Sequence, residues 1–271
     1  MAIVSALYVY PIKSCRGIQV DEWPVVERGF ACDRRWLIVD GAGQFVTQRE
    51  RPILSLVRTA LEGSQLHLSA PGLPELTLPI AHELGQLCRV KVWNDEVLAV
   101  PHAEGSAWFE RYLGARHQLV YMPDSQPRPI NPKYARAGEI VGFADGYPFL
   151  VVSEASLAAL NARLQAPLTM ARFRPNIVIS GSEPFAEDGY ARVRLGELTF
   201  RGPKLCDRCV ITCIDPETGE QGKEPLRTLA QFRQADQKVS FGMNLIHEQL
   251  GMLRVGDAVT ALDGVEPTPS A

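Results

Sequence analysis

Val193-Arg-Leu-Gly-Glu-Leu-Thr-Phe-Arg201-Gly-Pro-Lys204-Leu-Cys206-Asp-Arg-Cys209-Val-Ile-Thr-Cys213-Ile-Asp215-Pro-Glu-Thr-Gly219 holds three of the chain's six cysteines. The run Val193 to Arg201 reads as strand, and the β-branched Val210-Ile211-Thr212 follows the cysteine pair. Cys206 and Cys209 therefore read as lying in a loop between strands, not at the helix start of a thioredoxin-like dithiol. Zinc needs a second pair of ligands at comparable spacing. Cys15, Cys32 and Cys88 are scattered singly, and the five histidines show no His-x-x-x-His spacing. Two readings stay open from the residues alone: a structural role, or one reactive or metal-binding thiolate, a soft ligand suited to a transition metal. Lys204 and Arg208 are placed to favour its charged form.

Outward from this stretch, 271 residues suffice for one large domain or two modest ones. A formal net charge of −3 provides no global field to recruit nucleic acid or an anionic membrane, so basic chemistry must be local. The opening Met-Ala-Ile-Val-Ser-Ala-Leu-Tyr-Val-Tyr lacks the pattern of a signal peptide, and no run is apolar for long enough to span a bilayer. The expectation is a cytoplasmic protein with reduced cysteines, no membrane association and no disulfide scaffold.

Periodicity predicts a strand-dominated α+β fold of barrel-like character. Ile3 to Tyr10, Arg35 to Asp40, Gln65 to Ser69, Leu76 to Pro79 and Glu96 to Val100 read as strands, with a hairpin turn at Asp40-Gly41-Ala-Gly43. Ser106 to Leu113 carries aromatics at helical spacing. The proline-rich segment Pro123 to Ala137 marks the main boundary. Beyond it Ser153 is placed to cap a helix with Leu157, Leu160 and Leu164 in one stripe. That helix's start, with hydroxyls from Ser153 and Ser156, is a candidate anion or heterocycle site. Strands are expected at Ile177 to Ser180, Ala191 to Leu195 and Glu197 to Arg201, a helix from Pro225 with Leu226, Leu229 and Phe232 inward, and a last turn and strand at Val255 to Val259.

Three further clusters join cations to turn residues: Tyr10-Pro-Ile-Lys13-Ser14-Cys15-Arg16-Gly17, Cys32-Asp33-Arg34-Arg35-Trp36 and Arg172-Phe-Arg174-Pro-Asn176. Lys13-Ser14 after a strand suits a phosphate, with the ammonium as point charge and the hydroxyl as donor. Arg174, preceding a proline, is expected in extended backbone.

With these motifs, and with Phe45-Val-Thr-Gln-Arg49, Ser153-Glu-Ala-Ser156, Phe173 to Gly181, Cys206-x-Arg-Cys209, Asp215-Pro-x-Thr-Gly219 and Phe241-Gly-x-Asn244, the chain resembles the MOSC-domain molybdenum proteins, in the branch of the mitochondrial amidoxime-reducing component and its bacterial relatives. The resemblance implies an α+β, mainly β fold: an N-terminal MOSC-type β-barrel region over 1–122, packed on a C-terminal MOSC β-barrel domain over 123–263 with a few short helices, and a disordered tail over 264–271. It implies the molybdenum cofactor (Mo-molybdopterin), with Cys209 as the catalytic metal ligand and Cys206 a neighbour. Lys13, Ser14 and Arg34 are implied at the cofactor's phosphate, and Ser153, Glu154, Ala155, Ser156, Arg174, Asn176, Asp207, Arg208 and Asn244 around the rest. The activity implied is reduction of N-hydroxylated compounds, such as amidoximes, hydroxylamines and N-hydroxylated nucleobases, by oxygen abstraction at molybdenum. Asp207 and His247 are conceivable proton donors. Neither the anchor segment of the mitochondrial relatives nor the ferredoxin domain of some bacterial ones is recognisable, so a separate electron-transfer protein or reductase is the expected partner. The alternative is a cofactor or sulfur carrier without turnover, which the lack of a pyridoxal-phosphate domain weakens.

Overall fold

The computed structural model describes residues 1–262, so the expected tail at 264–271 lies outside the described residues, as does residue 263. Strands dominate, with three α-helices among the described residues. Most predicted strands form within a residue or two of expectation: Ile3–Val9, Trp36–Asp40, Gln65–Ser69, Leu76–Pro79, Asp95–His102, Ile177–Ser180 and Arg192–Leu195. Local chemistry explains the turns. Asp40 Oδ1 accepts from the backbone N–H of Ala42 and Gln44, closing the predicted hairpin.

The largest sheet runs Ile18–Val20, Ile3–Val9, Ile177–Ser180, Phe149–Ser153, Lys238–His247, Leu198–Asp207, Arg192–Leu195 and Val259–Leu262, with Gln234–Ala235 added beside Lys238–His247. Phe149–Ser153 and Ile177–Ser180 pair in parallel, and helix Glu154–Asn161 lies in the connection between them. The chain's first strand thus sits in a sheet otherwise made mostly from its second half. The sheet rolls but does not close as a continuous ladder. Its ends approach at an isolated bridge between Ile3 and Ala258, beside a Val4 N–H to Asp257 carbonyl bond of 2.9 Å. Val4, Leu7, Val9, Phe149, Val151, Ile177, Phe200 and Leu245 fill its interior, all at 1% exposure or less, which is the burial that holds the roll.

The other half packs around a second sheet, Trp36–Asp40, His117–Tyr121, Asp95–His102 and Cys88–Val92, and a three-stranded one, Arg58–Glu62, Gln65–Ser69 and Leu76–Pro79. Helix Ala103–Leu113 begins earlier than periodicity indicated because His102 Nδ1 accepts from Gly105 N, and a left-handed Gly114 ends it. Trp108 and Phe109 are buried as expected.

Three expectations need correction. The strand after Gly196 runs on to Asp207, carried through register shifts near Lys204 and Asp207, so Cys206 is a strand residue. Val210-Ile-Thr-Cys213 is a 3-10 turn, because Cys209 O accepts from Thr212 N and Oγ1 and holds the short β-branched run curled. The helix after Pro225 is only Leu226–Leu229, with Leu229 buried and Phe232 packed on the same core beyond its end.

Candidate active site

A cavity of about 390 Å³ opens between the two halves of the chain. The N-terminal half brings Lys13, Ser14, Arg34, Thr47 and Trp93 to its wall. The C-terminal half brings Asp145, Gly146, Tyr147, Arg174, Asn176, Lys204, Cys206, Asp207, Arg208, Cys209 and Asn244. Nine of the sequence-derived site residues therefore meet around one space: Lys13, Ser14, Arg34, Arg174, Asn176, Asp207, Arg208, Cys209 and Asn244.

Ser153, Glu154, Ala155 and Ser156 do not line it. Ser153 Oγ caps its helix by accepting from Ser156 N at 2.9 Å and bonds Ser156 Oγ at 2.7 Å, while Ser156 Oγ accepts from Phe185 N. Both serines are fully buried and Glu154 is exposed, so the hydroxyls that suggested an anion site serve the fold. His247 is also outside the cavity, with its ring against Phe149 at 5.7 Å and its pKa lowered by burial.

Cys209 follows the end of the long strand and heads the 3-10 turn. Its Sγ accepts from Arg49 Nη2 at 3.2 Å. Arg208, expected beside it, serves the other cysteine: Nη1 donates to Cys206 Sγ at 2.9 Å and Nη2 to Phe173 O at 2.8 Å. Burial nevertheless pushes the Cys206 thiol up, against the pull of Arg208. Lys204, also expected to act on a thiolate, pairs with Asp207 at 2.6 Å.

Lys13 is buried, and its Nζ donates to Phe143 O at 2.7 Å and Asp145 Oδ1 at 2.5 Å. Burial pulls the Lys13 pKa down although Asp145 works the other way. Partial desolvation works to raise Asp145, but Lys13, with Trp93 donating at 3.1 Å, holds that carboxyl well below its ordinary range. Its side chain is 61% exposed, so water screens much of this pairing. Ser14 sits at φ 72, a left-handed conformation unusual for a residue with a side chain.

Arg34, at φ 47, donates from Nη1 to Asp33 Oδ2 at 2.6 Å and Asn176 Oδ1 at 2.9 Å. Asn176 Nδ2 donates to Tyr8 O and Asp33 Oδ1, so this amide is spent on orienting Arg34. Burial raises Asp33 even against Arg34. Arg174 is not extended, contrary to expectation. It takes φ 54, because its N–H closes the preceding turn onto Ala171 O, and its carbonyl accepts from Arg34. Its guanidinium lies 4.4 Å from the Tyr10 ring centroid, with Arg34 at 4.2 Å from the same ring. Burial and the neighbouring Arg34 lower the Arg174 pKa, with burial the larger effect. Asn244 Nδ2 donates to the carbonyls of Lys204 and Leu205, bracing the strand that leads to Cys206.

Sequence reasoning missed Arg49, Trp93, Asp145, Gly146 and Tyr147. Arg49 lay within a recognised motif, which was a usable signal. The others come from a hairpin and a loop with no chemical signature.

The donor set suits an anionic cofactor anchored through sulfur. Five cations line the cavity against two carboxylates, and Arg208 Nε is buried without a partner among the described residues. Among the described residues no group of three or more His, Cys, Asp or Glu could hold a metal ion, and no helix is long and apolar enough to cross a membrane.

Comparison with known proteins agrees with this geometry. The family described as MOSC N-terminal beta barrel domain matches residues 1–116, and the MOSC domain matches 139–260. Mitochondrial amidoxime reducing component 2 of Rattus norvegicus is 36% identical over 285 residues, covering 94% of this chain and 82% of that protein. Mitochondrial amidoxime-reducing component 1 of Homo sapiens is 34% identical over 279 residues, covering 96% and 82%. Molybdenum cofactor sulfurase of Oryza sativa subsp. japonica is 31% identical over 277 residues, covering 91% of this chain but 33% of that protein.

Proposed function

The chain belongs to the MOSC-domain family, in the branch of the mitochondrial amidoxime-reducing components, and from that premise we propose that it is a molybdenum-cofactor-dependent reductase of N-hydroxylated compounds. One observation carries the reading: Cys209 shares a single cavity with Lys13, Ser14, Arg34, Arg174 and Arg208, residues drawn from both halves of the chain.

In this reading Cys209 Sγ is the protein's ligand to molybdenum. The chemistry such a group supplies when bound is two-electron exchange, by which an N–OH compound, two electrons and two protons become the N–H compound and water. Lys13, the Ser14 hydroxyl and Arg34 hold the phosphate of the cofactor, and Arg174 and Arg208 offer guanidinium donors to its heterocyclic part. Asn176 and Asp33 act through Arg34 by fixing its direction. Arg49 fixes the Cys209 thiol group from the opposite half of the chain. Asp145 is held ionised by Lys13 and Trp93, so it orients groups rather than supplying protons near neutral pH. Burial raises the Tyr147 pKa, which keeps its hydroxyl protonated and able to donate a hydrogen bond into the cavity. Electrons come from a separate carrier or reductase.

A second reading, a carrier that holds cofactor or sulfur for delivery, draws support from the similarity to the rice sulfurase, of which the chain spans about a third. One experiment separates the two. The protein is purified from a host that makes the cofactor, its molybdenum content is measured, and benzamidoxime reduction is followed with reduced viologen. Stoichiometric metal with turnover supports the reductase, and metal without turnover on any N-hydroxylated compound overturns it in favour of the carrier.

A further inference from the structure

Trp93 stands at the tip of the hairpin between Cys88–Val92 and Asp95–His102, and it lines the cavity that Cys209 lines. Its φ of 56 is a left-handed conformation that a bulky side chain rarely takes. Hairpin tips ordinarily give such a position to Gly, Asn or Asp. Its side chain is nonetheless fixed on three sides. Nε1 donates to Asp145 Oδ1 at 3.1 Å, Phe45 packs at 5.1 Å between centroids, and the Arg49 guanidinium sits 4.8 Å from the ring centroid. Despite these contacts Trp93 remains 43% exposed, whereas Trp36 and Trp108 are buried. A large ring that lines a polar cavity, braced by Arg49 and Phe45 and still 43% exposed, keeps surface on which a flat partner can stack. The same Arg49 that holds the ring donates to Cys209 Sγ, so the platform is tied directly to the proposed metal ligand.

We propose that Trp93 is a specificity residue, a stacking platform that selects planar, conjugated N-hydroxylated substrates over aliphatic ones bearing the same N–OH group. The proposal rests on the reductase reading and adds the substrate class. Stacking on a fixed ring is worth roughly a threefold to tenfold preference.

The test compares kcat/KM for benzamidoxime and acetamidoxime in the wild-type holoenzyme and in Trp93→Ala and Trp93→Phe. The benzamidoxime to acetamidoxime ratio should fall by roughly threefold to tenfold in Trp93→Ala, mostly through KM, and less in Trp93→Phe, which keeps a ring. In parallel, benzamidoxime is added to the protein without an electron donor and indole fluorescence is followed. Quenching should exceed that by acetamidoxime and be absent in Trp93→Phe. An unchanged substrate ratio in Trp93→Ala, or full quenching retained in Trp93→Phe, overturns the platform. Should the wild type reduce neither compound, the reductase reading fails, and the fluorescence arm still decides whether Trp93 stacks aromatic amidoximes.

Discussion

Arg49 and Cys209 lie 160 positions apart in the chain, yet the N–H···S contact between them settles which of the two cysteines faces the N-terminal half. Cys206 is engaged by Arg208 from its own strand end and its thiol is raised by burial, and in the proposed reading it is the neighbour of the metal ligand. Cys209→Ala should abolish turnover and molybdenum retention while moving the thermal midpoint by no more than about 4 °C. Cys206→Ala should keep its metal. Wild-type turnover in Cys209→Ala would falsify the assignment. On the same cavity's wall, Lys13→Met should weaken cofactor retention roughly tenfold, the loss of one charge-assisted contact. Because Lys13 is already paired with Asp145, the double variant Lys13→Met/Asp145→Asn distinguishes two causes. Recovery of retention in the double variant shows that the unpaired carboxylate repelled the cofactor, and continued loss shows that the ammonium itself bound it.

Among elements, the long strand Lys238–His247 is the one most exposed to a single substitution, since it is sandwiched between Phe149–Ser153 and Leu198–Asp207. Gly242 in it has φ 82, and a Cβ there would stand 2.7 Å from the Val151 carbonyl oxygen. Gly242→Ala should cost about 1 to 3 kcal/mol, read as a lower denaturant midpoint, because strain and a backbone clash coincide. The segment ending in Ile140–Val141 is tied to this sheet by Glu139, which pairs with Arg201, while Glu248 takes Arg136 at 2.9 Å and Arg192 at 2.7 Å. Burial would raise Glu139, but Arg201 and the Arg136 backbone bring it below its ordinary value of 4.5. A carboxyl held low stabilises the fold above that value, and the contribution disappears as pH falls through the folded-state pKa. Thermal midpoints should therefore drop on acidification below pH 4.5, with a shallower drop in Glu139→Gln. Elements whose determinants are local were readable in advance: Asp40 closing its own hairpin, Ser153 capping its own helix, alternation in Gln65–Ser69. The cavity's cations were readable as motifs. What escaped reading depends on distant partners. Trp93 and Asp145 meet only when a hairpin tip folds against a loop 52 residues on, and the Ser153 hydroxyl looked available because nothing local shows that Ser156 and Phe185 use up the pair.

For the whole molecule, the sequence contains no Gly-x-Gly-x-x-Gly dinucleotide signature. The purified protein should be inert toward benzamidoxime with NADH alone and become active with a reductase and its carrier, or with reduced viologen. Rising salt should slow the reaction with a protein donor more than with the dye, since such encounters are small and electrostatically guided. Robust NADH-dependent reduction without any carrier would sink this account. The placement of Ile3–Val9 beside Ile177–Ser180 bears on how the protein comes into being. On a ribosome the first strand emerges about 170 residues before that partner, an interval of roughly ten to thirty seconds at ordinary elongation rates. Through that interval Leu7 and Val9, which end fully buried, have only Ile18–Val20 to pair with and no completed interior to enter. The nascent chain therefore carries a sticky strand edge for most of its synthesis, a natural client for a holding chaperone, and a fragment stopped at residue 122 should aggregate where the full chain does not.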